Sequence, residues 1–342
     1  PEQPPMKRTK PNVTIQDVAR AAGVSVSTVS RVLNDKDDVA AETYERVQQT
    51  IEALGYTSSL AARSLRSYKT GVIGLIALDL DDPFVVEVLK GVNQAIQTFG
   101  YDLVLYASGN KSEGTPAAWE QSHVSLLGGS IADGVIIVTP TAVTFPTASP
   151  LVAVDPHSQD SDYPAVISTN RIGALEVMDY LIGLGHRRIG FIGGRPDLQS
   201  AIQRLEGYEE GLQKAGIPIV PQLIRPGDYT RQTGYLRARE LLGLPDPPTA
   251  IFAANDRSAI GVIEAAHELG WRIPQDLSVV GFDNVPEAAH TTPPLTTVEQ
   301  PMKRIGYVAA EMLIHLIREE TLDSRLCEVP TRMVIRESCQ AI

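Results

Sequence analysis

The sequence predicts an α/β protein in two parts, an N-terminal all-α domain and a larger, two-lobed body of two doubly wound parallel sheets. Three observations carry this. From Gly71 onward, short apolar runs alternate with amphipathic stretches of helical period, the pattern of parallel strands covered by helices on both faces. The residues before Gly71 show helical spacing and no strand run. Charge divides at the same place. Residues 1–69 hold ten Lys and Arg against eight Asp and Glu, a net +2, while the whole chain of 342 residues carries -11. Any polyanion would therefore be met at the front.

The opening PEQPPMKRTKP is basic but leads into no apolar core, so no secretory signal is expected there. No apolar run approaches the ~20 residues of a membrane span. Cys327 and Cys339 lie near the C-terminus without metal-ligand spacing, a usage that fits a reducing, cytoplasmic setting.

In the front segment, Thr14 and Asp17 have capping-box spacing, so a helix is expected from Ile15. Ile15, Val18, Ala19 and Ala22 recur at helical spacing, and Gly23 permits a left-handed stop. Ser25 can cap a second helix, Val26 to Leu33, with Val29, Val32 and Leu33 facing inward. Tyr44, Val47, Ile51 and Leu54 mark a third helix, for which Ala40 is a poor cap. Helix, glycine turn, helix is the helix-turn-helix pattern. The outer face of the second helix shows Ser27, Thr28, Ser30 and Arg31. Small hydroxyls allow close approach to phosphates in a major groove, and Arg can donate twice to guanine. Pattern alone also fits an ordinary solvated three-helix bundle.

In the body, strands are expected at 72–78, 103–107, 134–138, 151–154, 188–193, 250–254 and 277–282, and helices near 84–99, 171–184, 201–215, 231–243, 257–270 and 301–318. The stretches 165–170, 291–300 and 328–335 read as crossovers between lobes. Ligands of open α/β sheets bind beyond the carboxyl ends of strands. Several such ends carry polar groups: Asp79 after the first strand, then Asp155, Asn255 with Asp256, and Asp283 with Asn284, while a later loop leads to Arg204. Carboxylates accepting directed hydrogen bonds suit a compound with many hydroxyls. Phe84 or Tyr229 could stack on the apolar face of a sugar ring. Singly, each aspartate or asparagine could be a helix cap and each ring a core residue; together they favour a pocket.

The words TIQDVARAAGVSVSTVSRVLN (14–34), ALGY (53–56) and AARSL (61–65) resemble those of the lactose-repressor (LacI/GalR) family of bacterial transcription regulators, and the resemblance continues through nearly all of the chain. It implies a body like that of periplasmic binding proteins. Val26, Ser27 and Arg31 would stand at base-reading positions, and Thr14, Ser25, Thr28, Ser30, Asn34 and Thr43 at phosphate-contacting ones. Val26 offers only apolar contact, for example to a thymine methyl. Leu65 would wedge into the minor groove from a short hinge helix, with Ala62 and Arg63 beside it. Relatives often carry proline just before that helix, where this chain has Thr57 and Ser58. Asp155, Arg204, Asn255 and Asp283 would take effector-binding positions and Tyr229 a stacking one, with Phe84 and Asp79 in a contributing loop.

The implied layout is a basic tail at 1–12, the helix-turn-helix domain at 13–57, the hinge at 58–69 and the effector and dimerisation domain at 70–342. Lobe 1 would take about 70–167 with 298–328, and lobe 2 about 168–297 with 329–339. The implied function is a homodimeric repressor of carbohydrate-metabolism genes that binds palindromic double-stranded operator DNA and is released by a small sugar. A sugar-binding transport protein and a corepressor-activated, purine-responsive regulator are the alternatives. A glycoside hydrolase using Asp155 and Asp283 would need a marked general acid, which the sequence does not show. No enzyme activity, cofactor, metal or membrane partner is expected: there is no G-x-G-x-x-G after a strand, no P-loop and no H-E-x-x-H. The acidic runs at 35–38 and 79–82 lack the calcium-loop pattern.

Overall fold

The computed structural model describes residues 13–33, 38–56, 69–107, 115–158 and 161–342. The tail at 1–12, Asn34, and the expected hinge helix with Ala62, Arg63 and Leu65 lie outside the described residues. The chain divides into two compact units, residues 1–70 and 71–342.

The described residues of the first unit form three helices, α1 (Ile15–Ala22), α2 (Val26–Leu33) and α3 (Ala41–Leu54). The capping box forms as expected, with Thr14 N donating to Asp17 Oδ2 at 3.0 Å and Asp17 N to Thr14 Oγ1 at 3.4 Å. Gly23 ends α1 at φ +66°, a backbone that a side chain at that position would disfavour. Ser25 Oγ accepts from Thr28 N at 3.1 Å, while Ala40 leaves α3 without a side-chain cap. Val18, Ala19, Ala22, Val29, Val32, Val47 and Tyr56 form one small core.

The second unit contains two parallel sheets. The larger runs in the order β11–β5–β4–β3–β1–β2, from β1 (Val72–Ala77), β2 (Asp102–Ala107), β3 (Gly134–Val138), β4 (Leu151–Val154), β5 (Ala165–Ser168) and β11 (Leu326–Val329). Strand alternation sorts its side chains. Ile73, Leu75, Ile136, Val152 and Val166 point to the face covered by α4 (Pro83–Phe99) and α10 (Met302–Ile317), and Ile76, Val135, Ile137 and Ala153 to that covered by α5 (Pro116–Ser130). The α4 and α10 backbones touch: a Cβ on Gly91 would stand 1.9 Å from Lys303 O, and one on Gly306 2.0 Å from Val88 O.

The smaller sheet runs β7–β6–β8–β9, from β6 (Ile189–Ile192), β7 (Ile224–Arg225), β8 (Ala250–Ala253) and β9 (Ser278–Val280). Phe191, Phe252 and Val280 pack toward α6 (Asn170–Gly183) and α7 (Gln199–Lys214), and Ile192, Ile251 and Val279 toward α8 (Arg231–Leu242) and α9 (Asp256–Glu268). The two strands β10 (Thr297–Glu299) and β12 (Arg332–Val334) pair antiparallel beside β9.

The chain passes between the lobes near Thr169, Gln300 and Thr331. The stretch 165–170, expected as a crossover alone, first supplies β5, hydrogen-bonded between β4 and β11. The apolar pattern also failed to announce α5 and β7. The residues of α5 do not segregate into an apolar stripe, and β7 has only two residues.

Candidate functional site

Two sets of functional residues were expected, and the structure builds them differently. On the first unit they sit at the surface. Val26 is 41% exposed, Ser27 and Arg31 are exposed, and Thr28, Ser30 and Thr43 are half-buried. Ser25 Oγ lies 2.7 Å from Ser27 Oγ and 2.8 Å from Thr28 Oγ1, so these hydroxyls gather at the start of α2. That helix has no acidic residue in its first turn, leaving its positive dipole end unopposed there. Arg31 Nε is 3.4 Å from Asp38 Oδ2, with both side chains more than half exposed. So exposed a pair contributes little to stability and can be exchanged for another acceptor. The spacing gave no sign of this partner.

The second set centres on the interior: Arg204, Asn255 and Asp283 are buried, and Asp155 and Tyr229 are half-buried beside them. Arg204 is 3% exposed and donates from Nε to Asn170 Oδ1 at 3.0 Å and from Nη1 to Ala254 O at 2.5 Å. Its Nη1 is 3.4 Å from Asp283 Oδ1, and its guanidinium carbon lies 3.8 Å from the centroid of the Phe282 ring and 5.7 Å from that of Tyr229. Gln300 Nε2 donates to the same Asp283 oxygen at 2.6 Å. Asn255 does two things: its Oδ1 caps α9 by accepting from Ser258 N, and its Nδ2 donates to Tyr229 O at 3.0 Å. Asp155 Oδ2 accepts from Ser200 Oγ at 3.1 Å, joining the end of β4 to the start of α7. Three of these residues have positive φ: Asp155 at +48°, Tyr229 at +69° and Asp283 at +117°. Such backbone is disfavoured outside glycine and tends to gather where a site needs it.

The electrostatics follow from burial. Loss of water raises Asp155, against the opposing pull of Arg204 and the Ser200 hydroxyl. It pushes Asp283 up to about 7, despite Arg204 and Gln300. Asp256, fully buried, is also raised by burial and then by Asp283, although Thr297 Oγ1 and Val285 N donate to it. Tyr229 Oη is buried beside Ser200, Asp155 and Arg204, and no hydrogen bond of ordinary geometry reaches it. Burial pushes its phenol up to about 12, so it stays protonated and able to donate. His157 Nε2, on the loop after Asp155, is likewise buried and unpartnered. A cavity of about 280 Å³ opens beside Asp155, Asn170, Ser200 and Gln203 and is bounded elsewhere by Tyr163 and Arg325; Arg204, Tyr229, Asn255 and Asp283 do not line it.

Residues 14–59 match the family described as bacterial regulatory proteins, lacI family, and residues 178–339 the periplasmic binding protein-like domain. The HTH-type transcriptional repressor PurR of Edwardsiella ictaluri (strain 93-146) is 36% identical over 95% of this chain and 96% of its own. The chain belongs to the lacI family. Among solved structures of that family, the lac repressor dimer bound to operator and the anti-inducer ONPF superposes with a TM-score of 0.84 at 26% identity, covering 96% of this chain and all of the other. A complex of the transcriptional regulator CelR with cellobiose gives 0.71 at 30% identity, over 96% of this chain and all of that one. This lacI-family chain is thus a DNA-binding transcriptional regulator and not an enzyme.

Within this lacI-family body the structure distributes the remaining expected residues unevenly. Asp79 is exposed, its Oδ1 accepting from Asp81 N at 2.8 Å in a local turn. Phe84 is half-buried and packs on the core of its lobe. The charge facing Asp155 and Asp283 from this loop belongs to Asp82, which caps α4 through Phe84 N at 2.9 Å and is raised by burial against Arg257 and Arg195. Asn170, Ser200 and Gln300 were not expected in the site, and Asp82 only as part of the acidic run after the first strand. Asp82 was visible as the cap one residue before Pro83, whereas nothing local distinguishes the others. Among the described residues no cluster of metal-ligating side chains occurs, and no helix is long and apolar enough to cross a membrane.

Proposed function

We propose that this regulator is a homodimeric, cytoplasmic repressor that grips a palindromic operator with α2 of each copy and is released from it by a small carbohydrate. The carrying observation is the cluster of buried Arg204, Asn255 and Asp283 with half-buried Asp155 around Tyr229, whose Oη makes no hydrogen bond of ordinary geometry. It presents acceptors, donors and a ring at the carboxyl ends of parallel strands, as a polyol requires. Val26, Ser27 and Arg31 read base edges in this account, while Thr14, Ser25, Thr28, Ser30, Asn34 and Thr43 hold phosphates. Leu65, with Ala62 and Arg63, enters the minor groove from a hinge at 58–69. The operator-bound lac repressor dimer and the CelR–cellobiose complex are similar proteins in which a dimer holds an operator and a regulator holds a disaccharide. Release follows from linkage: a sugar that prefers the lobe angle incompatible with operator binding lowers DNA affinity by that preference, typically about 1–3 kcal/mol.

The similarity to a repressor named PurR supports a second reading, a purine that tightens operator binding. One experiment separates the two. Mono- and disaccharides and purine bases are screened by thermal shift, and hits are titrated into a complex of the protein with double-stranded DNA selected from a random pool. A sugar that both stabilises the protein and lowers DNA anisotropy supports induction. A purine that stabilises the protein and raises DNA affinity replaces it.

A further inference from the structure

The three crossovers between the lobes are joined to one another by side chains, and one of those side chains also holds a carboxylate of the cleft. Thr331 N donates to Thr169 Oγ1 at 2.9 Å, and the two threonine hydroxyls lie 3.0 Å apart. Next to Thr169, Ser168 Oγ, at the last residue of β5, donates to Gln300 Oε1. Gln300 stands on the third crossover, between β10 and α10, and its Nε2 donates to Asp283 Oδ1 at 2.6 Å. Ser168, Gln300 and Asp283 are each less than 9% exposed, so water does not compete for these bonds. Asp283 also faces Arg204.

The consequence is mechanical. A primary amide has one acceptor end and one donor end, and Gln300 spends the first on the larger-sheet lobe and the second on the cleft carboxylate. A buried polar group that loses its partner is left without the water that would replace it, so the two bonds are held or released with the geometry of the hinge. An effector hydroxyl donating to Asp283 changes what that oxygen offers Gln300, and Gln300 passes the change to Ser168 and β5.

We propose that Gln300 is a positioning residue that ties Asp283 to the larger-sheet lobe, so that the state of the cleft sets the angle between the lobes. The proposal rests on the reading of this cleft as the effector site, but its test needs no effector. Spin labels are placed at Leu126→Cys on α5 and Leu236→Cys on α8, both exposed, in the full chain with Cys327→Ser and Cys339→Ser. The interlobe distance distribution is then measured by pulsed electron resonance without ligand, with the labelled chain diluted in excess unlabelled protein so that a dimer holds at most one labelled copy.

The parent protein is expected to give one narrow population. Gln300→Met, which keeps the volume and removes both bonds, broadens it or adds a second population. Ser168→Ala, a milder change that keeps the fold, does the same, and the double variant broadens it no further than Gln300→Met alone. Asp283→Asn, which retains an acceptor for Gln300, leaves the distribution narrow, whereas Asp283→Ala does not. A folded Ser168→Ala protein with an unchanged distribution overturns the proposal, as does additive broadening in the double variant. Failure of every sugar and purine in the binding screen removes the effector reading but leaves this result standing.

Discussion

The DNA-reading unit and the cleft are both recognition sites, yet they are built on opposite plans. Residues 13–56 supply the first from consecutive elements, and those of its expected contact residues that are described lie at or near the surface over a small core around Val18, Val29 and Val47. The cleft is assembled from Asp82, Asp155, Arg204, Asn255 and Asp283, which are far apart in sequence and mostly buried. A polymer brings its own large surface, so the reader can be small, convex and wet. A small molecule has few atoms, so the protein must desolvate charges in advance and hold them for it. The comparison teaches where substitutions act: at the front unit they alter binding with little effect on folding, and in the cleft they alter both.

The sharpest way to break that contrast is Arg204→Met. Removing a buried guanidinium leaves Asp283 without its charge partner and Asn170 Oδ1 without its donor, and loss of about 3–5 kcal/mol of stability is expected in urea denaturation. A variant as stable as the parent would mean that the cluster is not closed to water. Arg31→Ala is the opposite case. Its partner Asp38 is exposed, so the denaturation midpoint should hold while operator affinity falls by about 1–3 kcal/mol in anisotropy titrations. Thr14→Ala removes one half of the capping box and should cost about 1 kcal/mol of the front unit's stability, read from its own thermal transition.

The smallest effect is a pH dependence. Asp283 is raised to about 7, so its contribution to stability is present below the ordinary carboxylate range and is lost as pH rises through about 7. A polyol that donates to the carboxylate prefers the ionised form. Its affinity should therefore increase between pH 6 and 8, with proton release in calorimetry, and Asp283→Asn should flatten that slope.

The same contrast explains what the sequence could and could not show. Thr14 with Asp17, Ser25 with Thr28 and the Gly23 stop are local signals, legible because partner and cap lie within three residues. Strand-helix alternation likewise announced two parallel sheets. Sheet order was not legible: β11, the last strand of the larger sheet in the chain, pairs with β5 although Leu326 and its partner Ala165 are far apart in sequence. Asp155, Arg204 and Asp283 could be singled out because charged residues at strand ends are chemically conspicuous. Gln300 and Ser200 carry no such mark, since an amide or a hydroxyl acquires meaning only from the distant group that it touches. Asp82 shows the limit from the other side. As a helix cap before proline it had a sufficient local explanation, and its second role, facing Asp155 and Asp283, exists only in three dimensions.

The central claim is that occupancy of the cleft and grip on the operator are one linked equilibrium. Anisotropy of a labelled operator fragment, titrated with the full-length protein at zero and saturating sugar, tests it most directly. The account expects affinity to fall several-fold with sugar present and the fall to vanish in Asp283→Ala. Sugar seen to bind by calorimetry while operator affinity stays the same would contradict it.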